Sequence, residues 1–359
     1  MVYYISDHGR RLALDKEFGE TFKWDTPLDQ GYVWKFLPGA EGRSPYQQSI
    51  QSNLTLATLP FRRTADVFLF LIDYSSLSAV AFLYSAVVNR IPILYRGDTT
   101  LIHERQRLKQ LKRLVLGQCF RQNVWGLYVG TLARDYMMDL GVPPGRLVAS
   151  PHCVDSLFWS AYAGECTSTN NRNKIRAKFG LPIDRPVVLF CGKVIDVKRP
   201  LDLARAMCRL ASERPVSLLV AGNGNQMDAM KAIVASSPNL VTGFLGFMNQ
   251  SELPEVYTAA DVICLPSQSE TWGLVINEAM YFGCVPVVSN HVGCAPDLVE
   301  GIGEVYPVGD IDGLVTSIVR VLDNLSERRS RIPARIAQFS VDRAVDGIVE
   351  AAMRASGVC

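Results

Sequence analysis

The sequence predicts an α/β protein made of two doubly wound domains with a cleft between them. Its 359 residues exceed the length of an ordinary single domain, and its 48% apolar content is enough for two cores. Short apolar runs alternate with segments of helical periodicity in both halves of the chain. This alternation is typical of parallel sheets whose strands are joined by helices.

The second half of the chain shows the alternation most clearly. Its apolar runs, which predict strands, lie at 187–190, 217–222, 241–246, 261–267 and 285–290. The helical segments between them lie at 200–210, 226–235, 251–259 and 272–282. Because the runs are apolar throughout, they predict a parallel sheet covered on both faces. Ligands of such sheets bind at the carboxyl ends of the strands.

The first half repeats the pattern less regularly. Its predicted strands lie at 66–72, 91–95, 125–130 and 146–150, and its predicted helices at 78–88, 103–116 and 131–140. The stretch 164–173 is rich in Gly, Ser, Thr and Asn, lacks apolar periodicity and predicts the domain boundary. We therefore expect an N-terminal domain over 1–165, a C-terminal domain over 175–345 and a terminal helix or tail over 346–359.

Composition excludes several classes of protein. The net charge of +2 gives no electrostatic basis for binding nucleic acid. Nine cysteines scattered singly argue against a disulfide framework and a zinc site, and favour a reducing compartment. The most apolar stretch, 77–88, is shorter than the about 20 residues of a spanning helix, and the start of the chain does not resemble a signal peptide. We expect a cytoplasmic protein without a bound metal.

Two glutamates lie eight residues apart around the predicted start of a helix. If the segment from Glu270 to Glu278 were helical, it would rise about 12 Å, which suits the two ends of one long ligand. Between them, the N–H groups of Thr271, Trp272 and Gly273 would form an anion site at the helix start. The alternative is a favourable carboxylate at a helix start and a second one on the surface.

Lysines and glycines follow two of the predicted strands. Lys193 and Lys198 lie in the loop after the strand at 187–190, where two ammonium groups can neutralise a diphosphate without metal. Gly222 and Gly224 follow the strand at 217–222, where glycine lets a ligand approach the backbone. Solvated surface lysines and a plain tight turn are the alternatives.

Together these segments resemble the donor domain of retaining GT-B glycosyltransferases of family 4, the glycosyl transferases group 1. LFCGKVIDVKRPLDLARA is similar to that family's lysine-containing loop, and AGNGNQMDAM to its Gly-x-Gly turn. The run from VTGFLG at 241 to APDLV at 299 matches the family pattern almost without gaps. The resemblance covers about 186–300 and implies two Rossmann-like domains and a nucleotide-sugar donor.

The resemblance also implies roles for the charged residues. Glu270 would bind sugar hydroxyls, and Glu278 the ribose hydroxyls of the nucleotide. Lys193 and Lys198 would bind the diphosphate, whose leaving oxygen would deprotonate the acceptor hydroxyl. On this scheme Glu270, Lys198 and Lys193 are the catalytic candidates, and neither a protein nucleophile nor a cofactor is required.

Further donor contacts implied by the resemblance come mainly from the backbone. They involve Gly192, Gly222, Gly246, Phe247, Thr271, Trp272 and Gly273. The N–H groups of Trp272 and Gly273 would contact the diphosphate, and Gly246 and Phe247 would lie near the base. Thr271 stands where the family has a smaller residue, a mild departure.

The first half resembles the family less closely. Arg96 and Asp98 follow a predicted strand. At this position the family commonly has a histidine that faces the reacting sugar. They are therefore acceptor-side candidates, and a loop salt bridge is the alternative. The opening segment 1–5 resembles the family's second strand, so we expect that the first βα unit is lacking.

A basic segment lies in the same half. Between 105 and 121 there are six basic residues and no acidic one: Arg105, Arg107, Lys109, Lys112, Arg113 and Arg121. A solvated amphipathic surface helix explains this pattern. The alternative is that 103–121 docks on anionic lipid at the inner membrane face.

The predicted function is that of a retaining, metal-independent glycosyltransferase of the hexosyltransferase type. Its partners would be a nucleotide-sugar donor and a glycan or lipid-linked acceptor, as in cell-surface polysaccharide biosynthesis. Two alternatives stay open: a nucleotide-sugar epimerase of the same architecture, and an inactive nucleotide-sugar-binding or partner protein.

Overall fold

The computed structural model describes residues 1–6, 10–15, 19–26, 30–42, 49–71, 76–103, 106–166 and 168–357. The chain divides into two compact units. The first unit consists of Met1–Ala13, Phe22–Pro151 and Asp342–Cys359, and the second of Leu14–Thr21 and His152–Val341.

The strands are short, as is usual for parallel sheets between helices. They are β1 (Val2–Tyr4), β2 (Ala13–Asp15), β3 (Glu20–Phe22), β4 (Trp34–Phe36), β5 (Phe68–Phe70), β6 (Ile93–Gly97), β7 (Val124–Tyr128), β8 (Leu147–Ala149), β9 (Val187–Cys191), β10 (Ser217–Ala221), β11 (Val241–Gly246), β12 (Val262–Leu265), β13 (Val285–Ser289) and β14 (Glu304–Tyr306).

The helices connect the strands of both units. They are α1 (Ile50–Thr58), α2 (Leu77–Val88), α3 (Gln106–Asn123), α4 (Thr131–Leu140), α5 (Ser156–Cys166), α6 (Thr169–Lys178), α7 (Pro200–Glu213), α8 (Met227–Ala235), α9 (Leu253–Ala259), α10 (Leu274–Tyr281), α11 (Ile311–Asp323), α12 (Leu325–Ile336) and α13 (Val341–Ser356).

The second unit contains a parallel six-stranded sheet in the order β11-β10-β9-β12-β13-β14. Strands β9, β10, β12 and β13 are buried along their whole length, as the continuous apolar runs predict. From β9 the chain winds outward to β11 and then returns to β12 on the other side of β9. This reversal makes the sheet doubly wound, and a crevice forms where neighbouring connections diverge.

A buried ionic cluster joins the starting ends of the two central strands. Asp261, 5% exposed, lies just before β12 and accepts hydrogen bonds from the Val187 N–H of β9 (2.8 Å) and from Arg176 Nη2 (2.6 Å). Arg329 Nη2 donates to its other oxygen at 2.7 Å, and Arg172 Nη1 lies 3.2 Å away. Burial raises the pKa of this carboxyl, but the three guanidinium groups and the Val187 N–H outweigh it and hold the pKa below its usual value.

The described sheet of the first unit is smaller. Its four parallel strands follow chain order, β5-β6-β7-β8, and β1 pairs with β4 in a separate two-stranded sheet. Helix α13 packs on this unit: Ala351 joins Leu94, Leu127 and Val148 in one cluster. A Cβ added to Gly347 would lie 1.9 Å from the Ala149 carbonyl oxygen, so helix and strand are in close backbone contact.

Two boundaries differ from those that the sequence predicts. The stretch 164–173, expected to be a linker, lies mostly in α5 and α6, and the chain passes between the units at Pro151. Ser168 caps α6 by accepting from Asn171 N, and Arg176 anchors the helix to Asp261. The polar composition of this stretch is typical of a linker, so the sequence did not predict this helix, which has an N-cap and a buried ion pair. The expected terminal helix or tail, 346–359, is helical up to Ser356, but the helix α13 already begins at Val341 and belongs to the first unit.

Candidate functional site

The predicted site residues of the second unit lie around the point where the strand order reverses. The loops that leave β9 and β12 border a cavity of about 240 Å³ at the carboxyl ends of these strands. Five predicted residues line it: Gly192, Lys193, Lys198, Glu270 and Gly273. A crevice at a switch point is where doubly wound sheets bind ligands.

Glycines hold the loops of this edge together. Gly222, after β10, has a φ of 136°, and a Cβ there would lie 1.9 Å from the Gly192 carbonyl oxygen. Its N–H donates to the Gly246 carbonyl at 2.6 Å. Gly192, Gly222 and Gly246 thus lie at the carboxyl ends of three adjacent strands, and substitution of Gly222 would push two loops apart.

The start of α10 is fixed by its neighbours. Gly273 has a φ of 101°, and an added Cβ would lie 2.9 Å from Leu265 Cδ2, so glycine is required. Glu270, three residues before Gly273, forms a parallel bridge with Val292, and its carbonyl accepts from Gly293 N at 2.9 Å. The first N–H groups of a helix have no intrahelical acceptor, and they carry the positive end of its dipole.

This geometry corrects the expected spacing of the two glutamates. Glu270 is in an extended bridge, and α10 begins only at Leu274, so only the last part of the segment is helical. The rise of about 12 Å expected for a continuous helix therefore does not apply.

Trp272 places its side chain in the core. It is 3% exposed, and its indole N–H donates to Asn277 Oδ1 at 2.8 Å. Asn277 is fully buried and donates in turn to the His152 carbonyl at 3.1 Å. A ligand could therefore contact only the backbone of Trp272. Asn277 was not among the predicted site residues, although an amide directly after the apolar run 274–276 of a predicted helix was a visible signal.

Each predicted lysine pairs with a carboxylate. Lys198 Nζ bonds Glu270 Oε2, with side-chain exposures of 22% and 17%. Lys193 Nζ lies 3.0 Å from Asp15 Oδ2, with exposures of 25% and 19%. Two cations and a carboxylate of the predicted set therefore line one cavity.

Asp15 belongs to an acidic hairpin that the sequence analysis did not identify. Gly19 N donates to the Asp15 carbonyl at 2.8 Å, and β2 and β3 pair in a two-stranded sheet. Glu20 accepts from Asn223 Nδ2 at 3.1 Å, next to the glycine turn after β10. Both carboxylates thus contact the loops at the carboxyl edge of the sheet. No local motif in the sequence marks this pairing between distant segments.

Glu278 lies on α10 but outside the lining of the cavity. Its Oε2 accepts from the Tyr257 hydroxyl at 2.6 Å. Burial raises the pKa of Glu278 to about 7, although the Tyr257 hydrogen bond lowers it. Because this pKa exceeds that of the unfolded chain, ionisation costs stability: the cost begins above the unfolded pKa of about 4.3 and is complete above pH 7. Such a carboxyl is typical of a functional site.

The acceptor-side candidates lie in the first unit. Arg96 Nε donates to Ser150 Oγ at 3.0 Å, and its Nη2 donates to the Pro151 carbonyl at 2.9 Å. Ser150 Oγ donates to the Ala344 carbonyl of α13 at 3.0 Å. Arg96 therefore holds the end of β8 next to α13. An acceptor role for Arg96 and Asp98 stays a prediction, as do the donor roles of Gly246 and Phe247.

The basic segment 103–121 is only partly described. Arg105 lies outside the described residues, as do the side chains of Arg107, Lys109 and Lys112. Arg113 pairs with Asp139, and α3 buries Leu116, Cys119 and Phe120. Within the described ranges no helix is long and apolar enough to span a membrane. In the same ranges, no group of three or more His, Cys, Asp or Glu side chains could hold a metal ion.

The chain thus belongs to the α/β proteins with two units, and one of its units has polar and cationic groups at the switch point of its sheet. Solved structures match over most of the chain, which shows that the fold is GT-B. A glycosyltransferase from Rickettsia africae matches with a TM-score of 0.67 at 14% identity, covering 89% of this chain and 85% of the other. Anabaena HepE in complex with UDP matches with a TM-score of 0.68 at 16% identity, covering 89% and 86%.

Sequence comparison then identifies the family of the second half. Residues 171–337 match the family Glycosyl transferases group 1, which confirms the resemblance to that group over this segment, while family 4 and retention of configuration stay predictions. The chain is 36% identical over 195 residues to D-inositol 3-phosphate glycosyltransferase of Mycolicibacterium smegmatis, covering 52% of this chain and 44% of the relative. It is 31% identical over 160 residues to sulfoquinovosyl transferase SQD2 of Arabidopsis thaliana, covering 43% and 30%. It thus spans less than half the length of these relatives.

Proposed function

We propose that the chain is a glycosyltransferase that moves a hexosyl unit from a nucleotide-sugar donor to a glycan or glycolipid acceptor, with retention of configuration and without a metal ion. The observation that carries this proposal is one cavity at a switch point, lined by Lys193, Lys198, Glu270 and the start of α10. Two cations beside a helix N-terminus suit a diphosphate, and the carboxylate suits sugar hydroxyls.

Donor binding would exchange one set of ionic contacts for another. Lys198 would leave Glu270 for a phosphate oxygen, and the freed Glu270 carboxylate would accept hydrogen bonds from sugar hydroxyls. Lys193 would leave Asp15 in the same way. The exchange keeps each ammonium group paired with an anion, which a partly buried charge requires.

The transfer step needs stabilisation of the leaving group above all. The bond between C1 of the sugar and the diphosphate oxygen breaks, and a bond from C1 to the acceptor oxygen forms on the same face. The acceptor proton passes to the leaving diphosphate oxygen. Both lysines and the α10 start stabilise the charge that develops on the diphosphate, so a protein nucleophile is not needed.

The relatives support a role in assembling surface glycans or glycolipids. One structural neighbour is named the lipopolysaccharide outer core galactosyltransferase WaaB, and HepE has been solved with UDP-glucose. A cytoplasmic enzyme at the inner membrane face, contacting anionic lipid through the basic segment 103–121, would suit a lipid-linked acceptor.

Donor binding and the role of Glu270 can be tested together. We expect one of a set of UDP-, GDP- and ADP-sugars to raise the melting temperature, since ligand at 100 times its Kd adds about 2.7 kcal/mol of stability. Glu270→Ala should then reduce sugar release from that donor by about 100-fold or more. Glu213→Ala, which changes an exposed acid on α7, is the matched control and should keep full activity. Turnover by Glu270→Ala at the wild-type rate would refute the proposed role.

A second candidate, a nucleotide-sugar-binding protein without turnover, is favoured by the acidic hairpin. Asp15 and Glu20 contact Lys193 and Asn223, and a carboxylate that stayed there would compete with the diphosphate. A protein of this kind would show donor affinity but no product with any acceptor.

A further inference from the structure

A chain of buried polar groups extends from the cavity wall to Glu278. The Tyr257 hydroxyl lies 3.6 Å from Cys191 Sγ, which lines the cavity, and 2.6 Å from Glu278 Oε2. Tyr257 is fully buried, with its ring centroid 5.7 Å from that of Trp159 and 5.8 Å from that of Phe282. Aromatic packing therefore fixes the position of the hydroxyl.

The direction of the hydrogen bonds follows from the chemistry of the three groups. Burial raises the pKa of the Cys191 thiol to about 12, so it stays protonated and is only a weak hydrogen-bonding group. An ionised Glu278 carboxylate can only accept, so Tyr257 donates to it. This bond occupies one acceptor site of Oε2 and leaves the other carboxylate oxygen for a ligand.

We infer that Tyr257 is a positioning residue for the donor: its hydroxyl stabilises the ionised form of Glu278 and orients it to accept the ribose hydroxyls of the nucleotide. The inference rests on the proposed function and on the ribose contact that the family resemblance implies for Glu278. It assigns a task to a buried residue of α9, which the sequence analysis did not consider. A hydrogen bond to a charged group is worth about twice a neutral one, so loss of the Tyr257 hydroxyl should be measurable.

The electrostatic surroundings of Glu278 make the inference testable by pH. Among the described residues, Tyr257 on α9 and Cys191 on β9 are the titratable groups that interact with it. Helices α5 and α12 and strand β13 also pack against α10. Arg329 of α12 donates hydrogen bonds to Asp261 and to the Gly283 carbonyl. Asp155, just before α5, interacts electrostatically with Tyr281. The protonation of Glu278 therefore depends mainly on burial and on the Tyr257 hydroxyl.

The experiment compares the wild type with Tyr257→Phe between pH 6 and 9. The probe is whichever of UDP, GDP and ADP binds the wild type most tightly, measured by calorimetric titration. We expect wild-type affinity to rise with pH as Glu278 ionises near pH 7. Affinity of the variant should be about tenfold lower at pH 7 and should recover at higher pH. Tyr162→Phe, on α5, is the matched control and should follow the wild type.

A ligand without ribose hydroxyls separates positioning from a structural role. The 2′,3′-dideoxy form of the same nucleoside diphosphate should bind the wild type and Tyr257→Phe equally at every pH. An equal loss with both nucleotides, or a loss independent of pH, would overturn the inference.

An independent measurement separates this inference from the proposed function. Infrared titration of the Glu278 carboxyl, identified by its loss in Glu278→Gln, should show a higher midpoint in Tyr257→Phe without any nucleotide. If that shift occurs but no nucleotide binds, the proposed function fails while the coupling stands. An unchanged midpoint refutes the coupling even if nucleotides bind.

Discussion

The parallel sheets of the two units differ in the order of their strands. In the second unit the order reverses beside β9, whereas the four described strands β5 to β8 of the first unit follow the chain. The reversal sends neighbouring loops to opposite faces and opens a crevice, and the predicted lysines and Glu270 line it. Arg96, at the end of β6, instead bonds the end of β8. Polar residues at a strand's carboxyl end thus indicate a ligand site more strongly where the topology opens a crevice.

The strongest test of this comparison concerns the two strands that flank the crevice. Asp261 joins the starts of β9 and β12, and its replacement by Asn would leave the buried guanidinium of Arg176 and the partly buried ones of Arg172 and Arg329 without their carboxylate. Because Asp261 and Arg176 are both buried, we expect Asp261→Asn to lower the free energy of unfolding by about 3 kcal/mol or more. Urea unfolding followed by hydrogen exchange of second-unit peptides would measure it, since two units need not unfold together.

Asp323→Asn is the control for this variant, because Asp323 pairs with Arg214 at the surface and should contribute at most about 1 kcal/mol. The pKa of Asp261 is lowered in the folded state, so its contribution is complete above the unfolded pKa. The difference between wild type and variant should therefore narrow only as the pH falls below about 4. Equal effects of the two variants would contradict the importance of the cluster.

A smaller loss of stability is expected for a substitution in α13, the helix that completes the first unit. Gly347→Ala would place a Cβ 1.9 Å from the Ala149 carbonyl oxygen and force the helix away from the sheet. We expect a loss of about 1–3 kcal/mol, measured by hydrogen exchange of β6 to β8. Gly164→Ala in α5 meets open space and should instead stabilise by about 0.5–1 kcal/mol. If both substitutions stabilised the protein, the contact of α13 with this sheet would be disproved.

The smallest expected effect is a change in donor affinity caused by a substitution in the acidic hairpin. Asp15→Asn removes a competitor of the donor diphosphate at Lys193, so donor affinity should rise. Because the pair is partly exposed, the gain should be about 0.2–1 kcal/mol, up to about fivefold, and should shrink at high salt. Calorimetric titration at two salt concentrations would measure it, with Glu213→Gln as a control that also removes one negative charge. The same affinity in both variants would show that Asp15 does not compete.

The sequence predicted what depends on local patterns. Strands β9 to β13 lie within two residues of the predicted runs, because buried parallel strands are continuously apolar. Strand β14 was missed because it has only three residues at the edge of the sheet. Pairings between distant segments left no such pattern: Asp15 with Lys193 and Tyr257 with Glu278 depend on the tertiary fold alone.

The place of α13 affects how the polypeptide matures during synthesis. The first unit buries Leu94, Leu127 and Val148 beneath Ala351, a residue translated after all of His152–Val341. Domains generally fold as their residues leave the ribosome. The second unit can therefore become compact while the first unit, which still lacks α13, exposes part of its apolar surface. During that interval we expect the first unit to be the part that depends most on chaperones.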